Sequence, residues 1–335
     1  MRVRILFAGS AVLLIALMLL SLCIGAYPLT LQDIPTILTG NASGSMAEQV
    51  FFRLRLPRTL MAVLAGAALS LTGGIYQLIF RNPLASPDLT GVASGAACGA
   101  ACAILFASGS MAVLMGGAFL GGILSLLCVL LLVRAAGSAS AGTYVLAGVI
   151  ISAAADAALM ALKITADPEK ELAAIEFWTM GSLASVTVDK LLAVLGAILL
   201  PMMLLLLLSR QAAMLSLPDE DVRPMGLHPG RWRCILAVLS TLCTASVIAV
   251  TGVIAFAGLI APHIAYRLYG RRSGAFLPLC TLFGGILILA ADLSARSLSA
   301  GAELPLSLFT VIIAAPTLAF ILCRRGRFGG YGNSL

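Results

Sequence analysis

The protein has 335 residues, of which 61% are hydrophobic and only 10% are charged, and its formal net charge at pH 7 is +7. An ordinary soluble domain carries about 25% charged residues, so this composition excludes a water-soluble globular fold, even one with an outsized core. The basic residues stand singly at the edges of apolar runs, which is typical of membrane-flanking anchors and not of a nucleic-acid-binding patch. We therefore predict an all-α integral membrane protein whose apolar runs cross the bilayer as helices.

The first apolar run follows Met1-Arg-Val-Arg4 and extends over residues 5–26. A secretory signal is the alternative interpretation, because Leu20-Ser-Leu-Cys23 faintly resembles a lipoprotein cleavage box. Leu22 is too bulky for the position before the cysteine, and many apolar runs follow. An uncleaved first helix is therefore favoured.

Charged residues separate most of the later runs, and two long charge-free runs must be divided. The run 89–133 is too long for one helix, and Ala107-Ser-Gly-Ser110 offers a turn. The run 234–266 is also too long, and we divide it near Thr251-Gly252. Ten spans are predicted, with nine or eleven as alternatives: 5–26, 59–80, 89–107, 111–133, 142–162, 191–209, 234–250, 253–267, 275–292 and 306–323.

Ten spans place both termini on the same side of the membrane. If that side is the cytoplasm, fourteen of the 21 Lys and Arg residues lie inside and seven lie outside, as the positive-inside rule prefers. The expected protein is a single transmembrane domain, residues 1–335, in the cytoplasmic (inner) membrane with both termini cytoplasmic. The seven outer cations are Arg53, Arg55, Arg58, Lys163, Lys170, Lys190 and Arg296.

Small residues recur at four-residue spacing in the predicted spans, as in Gly95/Gly99 and Gly117/Gly121. Such faces let helix backbones approach closely where lipid supplies no hydrophobic drive for association. We expect a tightly packed bundle.

Catalytic motifs are missing from the sequence. No Gly-Lys dipeptide occurs, so the chain has no Walker-type phosphate loop, and no Ser/His/Asp set has a persuasive context. The eight cysteines lie in or beside apolar runs without metal-ligand spacing to the two histidines, His228 and His263. We predict neither an enzyme nor a metal or other cofactor on this chain.

Asp156 is the clearest ionisable residue inside a predicted span. A carboxylate at mid-membrane costs roughly 2.5–3.5 kcal/mol on insertion scales, so it should face the bundle or a wet cavity. It is either a pathway or proton-relay residue, or a locally hydrogen-bonded residue at a helix contact. Asp292 and His263 lie near span ends, where interfacial water favours a structural role.

The segment 215–233 is the most informative loop on the predicted cytoplasmic side. Ser216 can cap a helix, Pro218 suits its first turn, and the acidic run 219–221 complements the helix dipole. Pro224 and Gly226 should break or kink that helix, so we expect a short helix, a turn and a second short piece. The segment is either a docking element for a partner or an ordinary loop.

The outer arginines need an explanation, because the positive-inside rule disfavours cations there. Arg53, Arg55 and Arg58 precede one span and Arg296 follows another. They are expected either to meet carboxylates of an extracytoplasmic partner or to snorkel at the interface.

The chain contains five short stretches that, in this order, resemble the FecCD family, the permeases of ABC importers for iron–siderophore complexes, haem and vitamin B12. Each stretch alone is weak, but five in order over roughly residues 53 to 323 form a specific signal. The stretches are Arg55-Leu-Pro-Arg-Thr-Leu60, Arg81-Asn-Pro-Leu-Ala-Ser-Pro-Asp-Leu-Thr-Gly91, Phe177-Trp-Thr-Met-Gly-Ser182, Gly258-Leu-Ile-Ala-Pro-His263, and Ala291-Asp292 through Arg296 to Glu303-Leu-Pro305.

The resemblance implies a ten-span BtuC-like bundle of the type II importers, paired two-fold with an identical or paralogous permease. Two cytoplasmic subunits that bind ATP and Mg, and one extracytoplasmic substrate-binding protein, would complete the machine. In the family, arginines matching Arg55, Arg58 and Arg296 face acidic residues of the binding protein. The stretch 216–226 resembles the family's coupling helices, although Pro218 and Pro224 depart from its pattern. The coupling residues implied are Ser216, Leu217, Asp219, Glu220, Arg223 and Gly226.

The leading hypothesis is ATP-driven uptake of an iron(III)–siderophore or similar metal chelate. Haem, cobalamin and molybdate are alternative substrates of the same machine. A hypothesis from another class is an ion-coupled secondary transporter that uses Asp156, and a weaker one is a structural membrane scaffold.

Overall fold

The computed structural model describes residues 2–25, 27–42, 44–107, 110–269, 274–298 and 304–327. Within them the chain is helical: fifteen α-helices are joined by short turns, with π-helical turns at 51–55 and 168–172 and 3₁₀ turns at 87–90 and 223–225. The helices are α1 (Arg2–Cys23), α2 (Asp33–Leu38), α3 (Met46–Val50), α4 (Leu56–Ile79), α5 (Val92–Phe106), α6 (Met111–Ala135), α7 (Ala141–Thr165), α8 (Ala173–Thr179), α9 (Val188–Leu207), α10 (Ser209–Met214), α11 (Asp219–Val222), α12 (Pro229–Thr251), α13 (Ala257–Tyr269), α14 (Phe276–Ser297) and α15 (Leu306–Arg327).

Each of the ten predicted spans coincides with one helix: α1, α4, α5, α6, α7, α9, α12, α13, α14 and α15. Among the described residues, seven helices are long and apolar enough to cross a membrane by length and composition alone. Val92–Phe106 and Leu306–Thr317 are shorter apolar helices. Helix α13 has 13 residues, or about 20 Å of rise, which is less than the thickness of a bilayer core.

Both divisions of the charge-free runs fall near helix ends. Helix α12 ends at Thr251, and Gly252 follows it with a φ of +67°, which confirms the predicted break. Helix α5 ends at Phe106, and Ser110 caps α6 by accepting a hydrogen bond from the Val113 amide. The middle of the predicted turn, residues 108–109, lies outside the described residues, as does Glu303 of the last family stretch.

Helix α4 forms the centre of the bundle, and most of its residues are buried. It lies against α14, α13 and α12, whose facing sides are also buried. The contact with α14 is made backbone to backbone, since a Cβ atom added at Gly66 would come within 2.1 Å of the Gly284 carbonyl oxygen. Small residues therefore determine how closely the central helices pack.

The predicted glycine faces of α5 and α6 do pack against each other. A Cβ atom added at Gly99 would lie 2.1 Å from the Gly117 carbonyl oxygen, and one at Gly121 would lie 2.2 Å from that of Gly95. The structure confirms the expected close approach at all four glycines.

Helices α1 and α7 lie at the periphery of the chain. Only four residues of α7 are buried, and its exposed positions are mostly alanine and large aliphatic residues. Apolar surface of this kind is suited to lipid or to another membrane subunit.

Helix α4 also defines the two ends of the bundle used below. Its 24 residues rise about 36 Å, so Arg58 and Ile79 stand near opposite faces of the bilayer. The Asp219 end contains the C-terminus of α4, the α6–α7 connection, the segment 215–226 and the start of α12. The Asp292 end contains the C-termini of α1 and α14 and the N-terminus of α4.

Candidate functional site

The segment 215–226 at the Asp219 end folds as a short helix followed by a tight turn. Pro218 precedes α11, and its carbonyl oxygen accepts hydrogen bonds from the Asp221 and Val222 amides. The chain then makes the 3₁₀ turn Arg223–Met225, which includes Pro224, and Gly226 ends it with a φ of +82°. The predicted short helix and second short piece are both present.

The predicted capping role of Ser216 is wrong. Its hydroxyl donates a hydrogen bond to the Ala213 carbonyl oxygen at 2.7 Å and so closes the end of α10. Pro218, two residues later, occupies the N-cap position of α11 without a side-chain cap. A serine between two short helices can serve either one, and the sequence pattern does not distinguish the two cases.

The outer side of this segment is exposed, whereas its inner side is anchored in the core. Leu217, Glu220 and Arg223 are exposed, and the Met225 side chain is 53% exposed. Leu215 and Val222, by contrast, are completely buried. The segment is thus a fixed protrusion that presents both apolar and charged groups.

Asp219 does not belong to the exposed side, because it is held by an arginine that is itself fully buried. The guanidinium of Arg233 donates to both Asp219 carboxylate oxygens, at 2.8 Å and 2.5 Å. Arg81, which has a φ of +53°, lies 3.4 Å from the same carboxylate. The hydrogen bond from Arg233 is the main reason that the pKa of Asp219 lies below its usual value.

Arg233 also contacts two other parts of the chain. Its Nε donates to the Ile79 carbonyl oxygen at the end of α4, at 3.1 Å, and its Nη1 donates to the Ala139 carbonyl oxygen, at 3.3 Å. A cleft of about 710 Å³ opens beside this network between the α6–α7 connection and the start of α12. Arg223, His228 and Arg231 line it together with Asp219.

At the Asp292 end, two of the predicted docking arginines share one buried carboxylate. Arg58 Nη2 lies 2.8 Å from Asp292 Oδ1, and Arg296 Nε lies 3.1 Å from Asp292 Oδ2. The three side chains are 12%, 7% and 1% exposed for Arg58, Arg296 and Asp292, respectively. This network joins the N-terminus of α4 to the C-terminus of α14.

The same end of the bundle holds the C-terminus of α1. Arg55, which is 5% exposed, donates to the carbonyl oxygens of Leu22 and Tyr27. Arg296 donates to the carbonyl oxygens of Ser21 and Ile24. Arginines suit this position because a helix C-terminus has unsatisfied carbonyl groups and a partial negative charge.

The structure therefore brings Arg58 and Arg296 together. It places Arg55 nearby, where it binds the end of α1. Their contacts within the chain supply a structural reason for cations at this end. The cluster contains three guanidinium groups and one carboxylate, which pairs with Arg58 and Arg296, so it retains positive charge. The neighbouring Arg53 is exposed. A docking role for these arginines stays a prediction.

Asp156 lies apart from both ends, near the middle of α7, and its side chain faces away from the rest of the chain. Its neighbours on the helix, Ala153, Ala157 and Met160, are also exposed. Within the described ranges, no group of three or more His, Cys, Asp or Glu side chains is arranged to hold a metal ion.

Sequence reasoning named Arg233 and Asp292, the residues that organise these ends, but did not predict their ion pairs. Arg233 directly precedes a predicted span and ends the predicted segment 215–233, and an arginine there is also placed to reach adjacent helix ends. Asp292 stands four residues before Arg296, a spacing that brings side chains together on a helix and could have indicated the pair.

Comparison with known proteins decides how these features are to be interpreted. The model of the FecCD transport family matches residues 13–324, which is nearly the whole chain. The chain belongs to the FecCD transport family. It is thus a multi-pass membrane permease of the ABC-importer type, as the five sequence stretches indicated.

Relatives of this FecCD permease have several different substrates in their names. The molybdate import system permease protein MolB of Haemophilus influenzae is 36% identical over 330 residues, 97% of each chain. The hemin transport system permease protein HmuU of Yersinia pestis is 33% identical over 327 residues, 96% of each chain. A solved structure described as an inward-facing conformation of a metal-chelate type ABC transporter is 35% identical, with a TM-score of 0.86, and covers 96% of this chain and 99% of the other. The BtuC-like fold is therefore established.

Proposed function

We propose that this chain is the permease subunit of an ATP-driven importer that carries an iron(III) chelate across the cytoplasmic membrane. The observation that supports it most is the full-length match to the FecCD family and to a structure described as a metal-chelate type transporter. The power source is proposed to be two separate ATP-binding subunits, since the sequence contains no phosphate-binding loop. Switching a two-state pathway requires several kcal/mol of differential binding, which nucleotide on such subunits can supply.

The Asp219 end is proposed to be cytoplasmic and to receive the ATP-binding subunits on the segment 215–226. Its exposed residues Leu217, Glu220, Arg223 and Met225 combine apolar and charged contacts on a segment with a buried base. An anchored protrusion of this kind can transmit force, because a partner cannot displace its tip without displacing its base.

The Asp292 end is proposed to be extracytoplasmic and to dock an acidic surface of a substrate-binding protein. The positive charge left at Arg55, Arg58 and Arg296, together with the exposed Arg53, supports this orientation. Arg53→Gln is the variant that leaves the buried network intact, and we expect it to slow association of the binding protein at low salt but not at high salt. An association rate that is unchanged at low salt would count against docking through the exposed rim of this cluster.

A second permease subunit is proposed to cover the exposed face of α7. A carboxylate that faces lipid at mid-membrane is unfavourable by roughly 2.5–3.5 kcal/mol. Asp156 therefore requires a protein contact or a water-filled pathway between two subunits. Pairing of two permeases about α7 would provide either one.

The rival function, ion-coupled transport by this chain alone, has less support. A coupling carboxylate normally lies inside a bundle among other polar groups, at broken helices. Asp156 is instead exposed on an unbroken helix beside alanines.

The test is uptake into proteoliposomes that contain this chain with its ATP-binding subunits and binding protein. ATP is supplied on the side of the membrane that carries the ATP-binding subunits. Radiolabelled ferric siderophore, haem, cobalamin and molybdate are supplied separately. We expect ATP-dependent uptake of the ferric chelate. If molybdate is taken up and the ferric chelate is not, the proposed substrate is refuted. If this chain without its partners takes up substrate under a proton gradient, ATP-driven import is refuted.

A further inference from the structure

The ion pair between the fully buried Arg233 and Asp219, whose side chain is 30% exposed, joins four parts of the chain at a single guanidinium group. Asp219 opens α11 in the exposed segment 215–226, and Arg233 stands in the second turn of α12. Through the Ile79 and Ala139 carbonyl oxygens, Arg233 also holds the end of α4 and the α6–α7 connection. Four of its five N–H groups thus have partners within the chain.

We propose that this pair, which we call the Asp219 latch, transmits displacement of the segment 215–226 to the end of α4 and to the α6–α7 connection. The inference rests on the proposed function, in which a partner ATPase moves that segment. It assigns Arg233 and Asp219 a positioning role, in which they act through the segment that the partner contacts.

The geometry of the latch is what suits it to transmission. The other buried contacts of the segment, at Leu215 and Val222, are apolar and therefore non-directional. A guanidinium fork that binds both carboxylate oxygens fixes orientation as well as distance. The carboxylate also lies 3.4 Å from Arg81, two residues after the last residue of α4, so the segment is connected to that helix twice.

The burial of the Arg233 charge also points to a specific role. Apolar residues of similar volume often stabilise a fold as well as a buried ion pair does, so stability alone is a weak reason for such a pair. The latch links parts of the chain that are far apart in sequence: Ile79 precedes Arg233 by 154 positions, and Ala139 precedes it by 94. These are the parts that must move together if one end of the bundle is to open or close.

Hydrogen–deuterium exchange of the complete complex with its ATPase subunits, in lipid nanodiscs, tests the latch without knowledge of the substrate. Exchange is compared between the nucleotide-free complex and the complex trapped with ATP and vanadate. In the wild type we expect nucleotide-dependent differences both in residues 215–226 and in residues 136–144. In Asp219→Asn the difference at 215–226 should remain and the difference at 136–144 should be lost.

Conservative variants distinguish a loss of transmitted movement from a general loss of folding. Asp219→Glu keeps the carboxylate within reach of the fork and should restore the difference at 136–144. Arg233→Lys keeps the buried positive charge but cannot bind two carboxylate oxygens and two carbonyls at once, so it should lose the nucleotide-dependent difference at 136–144. If Asp219→Asn does not fold, Arg233→Lys is the variant that tests the latch. Arg210→Lys, an exposed arginine of α10, is the matched control and should behave as the wild type.

Two results would overturn the inference, and they are distinguishable. If Asp219→Asn and Arg233→Lys both keep the nucleotide-dependent difference at 136–144, the latch does not transmit movement and the proposed function stands. If the wild-type chain binds no ATPase, or nucleotide leaves 215–226 unchanged, the proposed function fails and the latch fails with it.

Discussion

The close packing of α5 against α6 allows a prediction whose magnitude follows from the coordinates. In Gly121→Ala, the new Cβ would lie 2.2 Å from the Gly95 carbonyl oxygen and 3.1 Å from the Gly99 Cα. Contacts of Cβ below 3.0 Å essentially do not occur, so the helices must separate by roughly 0.8 Å, the difference between 3.0 and 2.2. Both neighbours are backbone atoms, so no side chain can rotate away to relieve the contact. Overpacking of this kind costs about 1–3 kcal/mol.

A matched control lies on the same helix. Gly116→Ala adds a Cβ with nothing within 4 Å, and both substitutions gain the same helix propensity of up to about 1 kcal/mol. The difference in unfolding free energy between the two variants should therefore be the packing cost, about 1–3 kcal/mol. Reversible unfolding in mixed detergent micelles measures it. Equal stabilities would show that α5 and α6 are not in backbone contact and would refute this account of the packing.

Three further predictions concern the two ends of the bundle. Gly226→Val forces a branched residue to a φ of +82° and should weaken co-purification of the ATPase subunits. The control Gly44→Val, at a φ of +78° with open space around it in the loop before α3, should not weaken it, and equal binding of the two variants would argue against docking at Gly226. Asp292→Asn removes the carboxylate between two buried guanidinium groups and should lower the unfolding free energy by about 3–5 kcal/mol, a loss that thermal melting would reveal or contradict. Arg233 lowers the pKa of Asp219 in the folded state. The stability that this ion pair adds to the fold is therefore complete above the unfolded pKa of about 3.9 and is lost as the pH falls through the lower folded value. As the pH falls from about 5 through the unfolded pKa and below it, Asp219→Asn should therefore lose less stability than the wild type, and identical acid profiles would refute the assignment.

The sequence predicted the spans well because membrane crossing is a local requirement. Each apolar run must satisfy its own backbone hydrogen bonds, so its length and flanking charges are readable without knowledge of its neighbours. The break at Thr251-Gly252 was predictable for the same reason, since a charge-free run of that length cannot be one helix. The four glycines of α5 and α6 were also identified in advance, because small residues at four-residue spacing occupy one helix face.

The networks at the bundle ends were not predictable, because they depend on contacts between distant residues. An arginine beside a span has the same appearance in the sequence whether it snorkels, docks a partner or closes a helix end. Arg233 does the last, and its three kinds of contact are separated from it by 14, 94 and 154 residues. The wrong prediction at Ser216 has a related cause, since the choice between two adjacent helix ends is made by the packing of both helices.

The arginines at the Asp292 end show how one set of residues can serve two roles that the sequence presents as alternatives. Arg55 and Arg296 hold the C-terminus of α1, and Arg58 and Arg296 hold Asp292, so these groups are structural whether or not a partner binds. One carboxylate does not neutralise three guanidinium groups, however, and the surplus charge lies where three helix ends meet. An acidic partner that docks there would be attracted by the same charges that fix α1, α4 and α14 relative to one another. Docking would then act directly on the positions of the helices and not only on the surface of the protein.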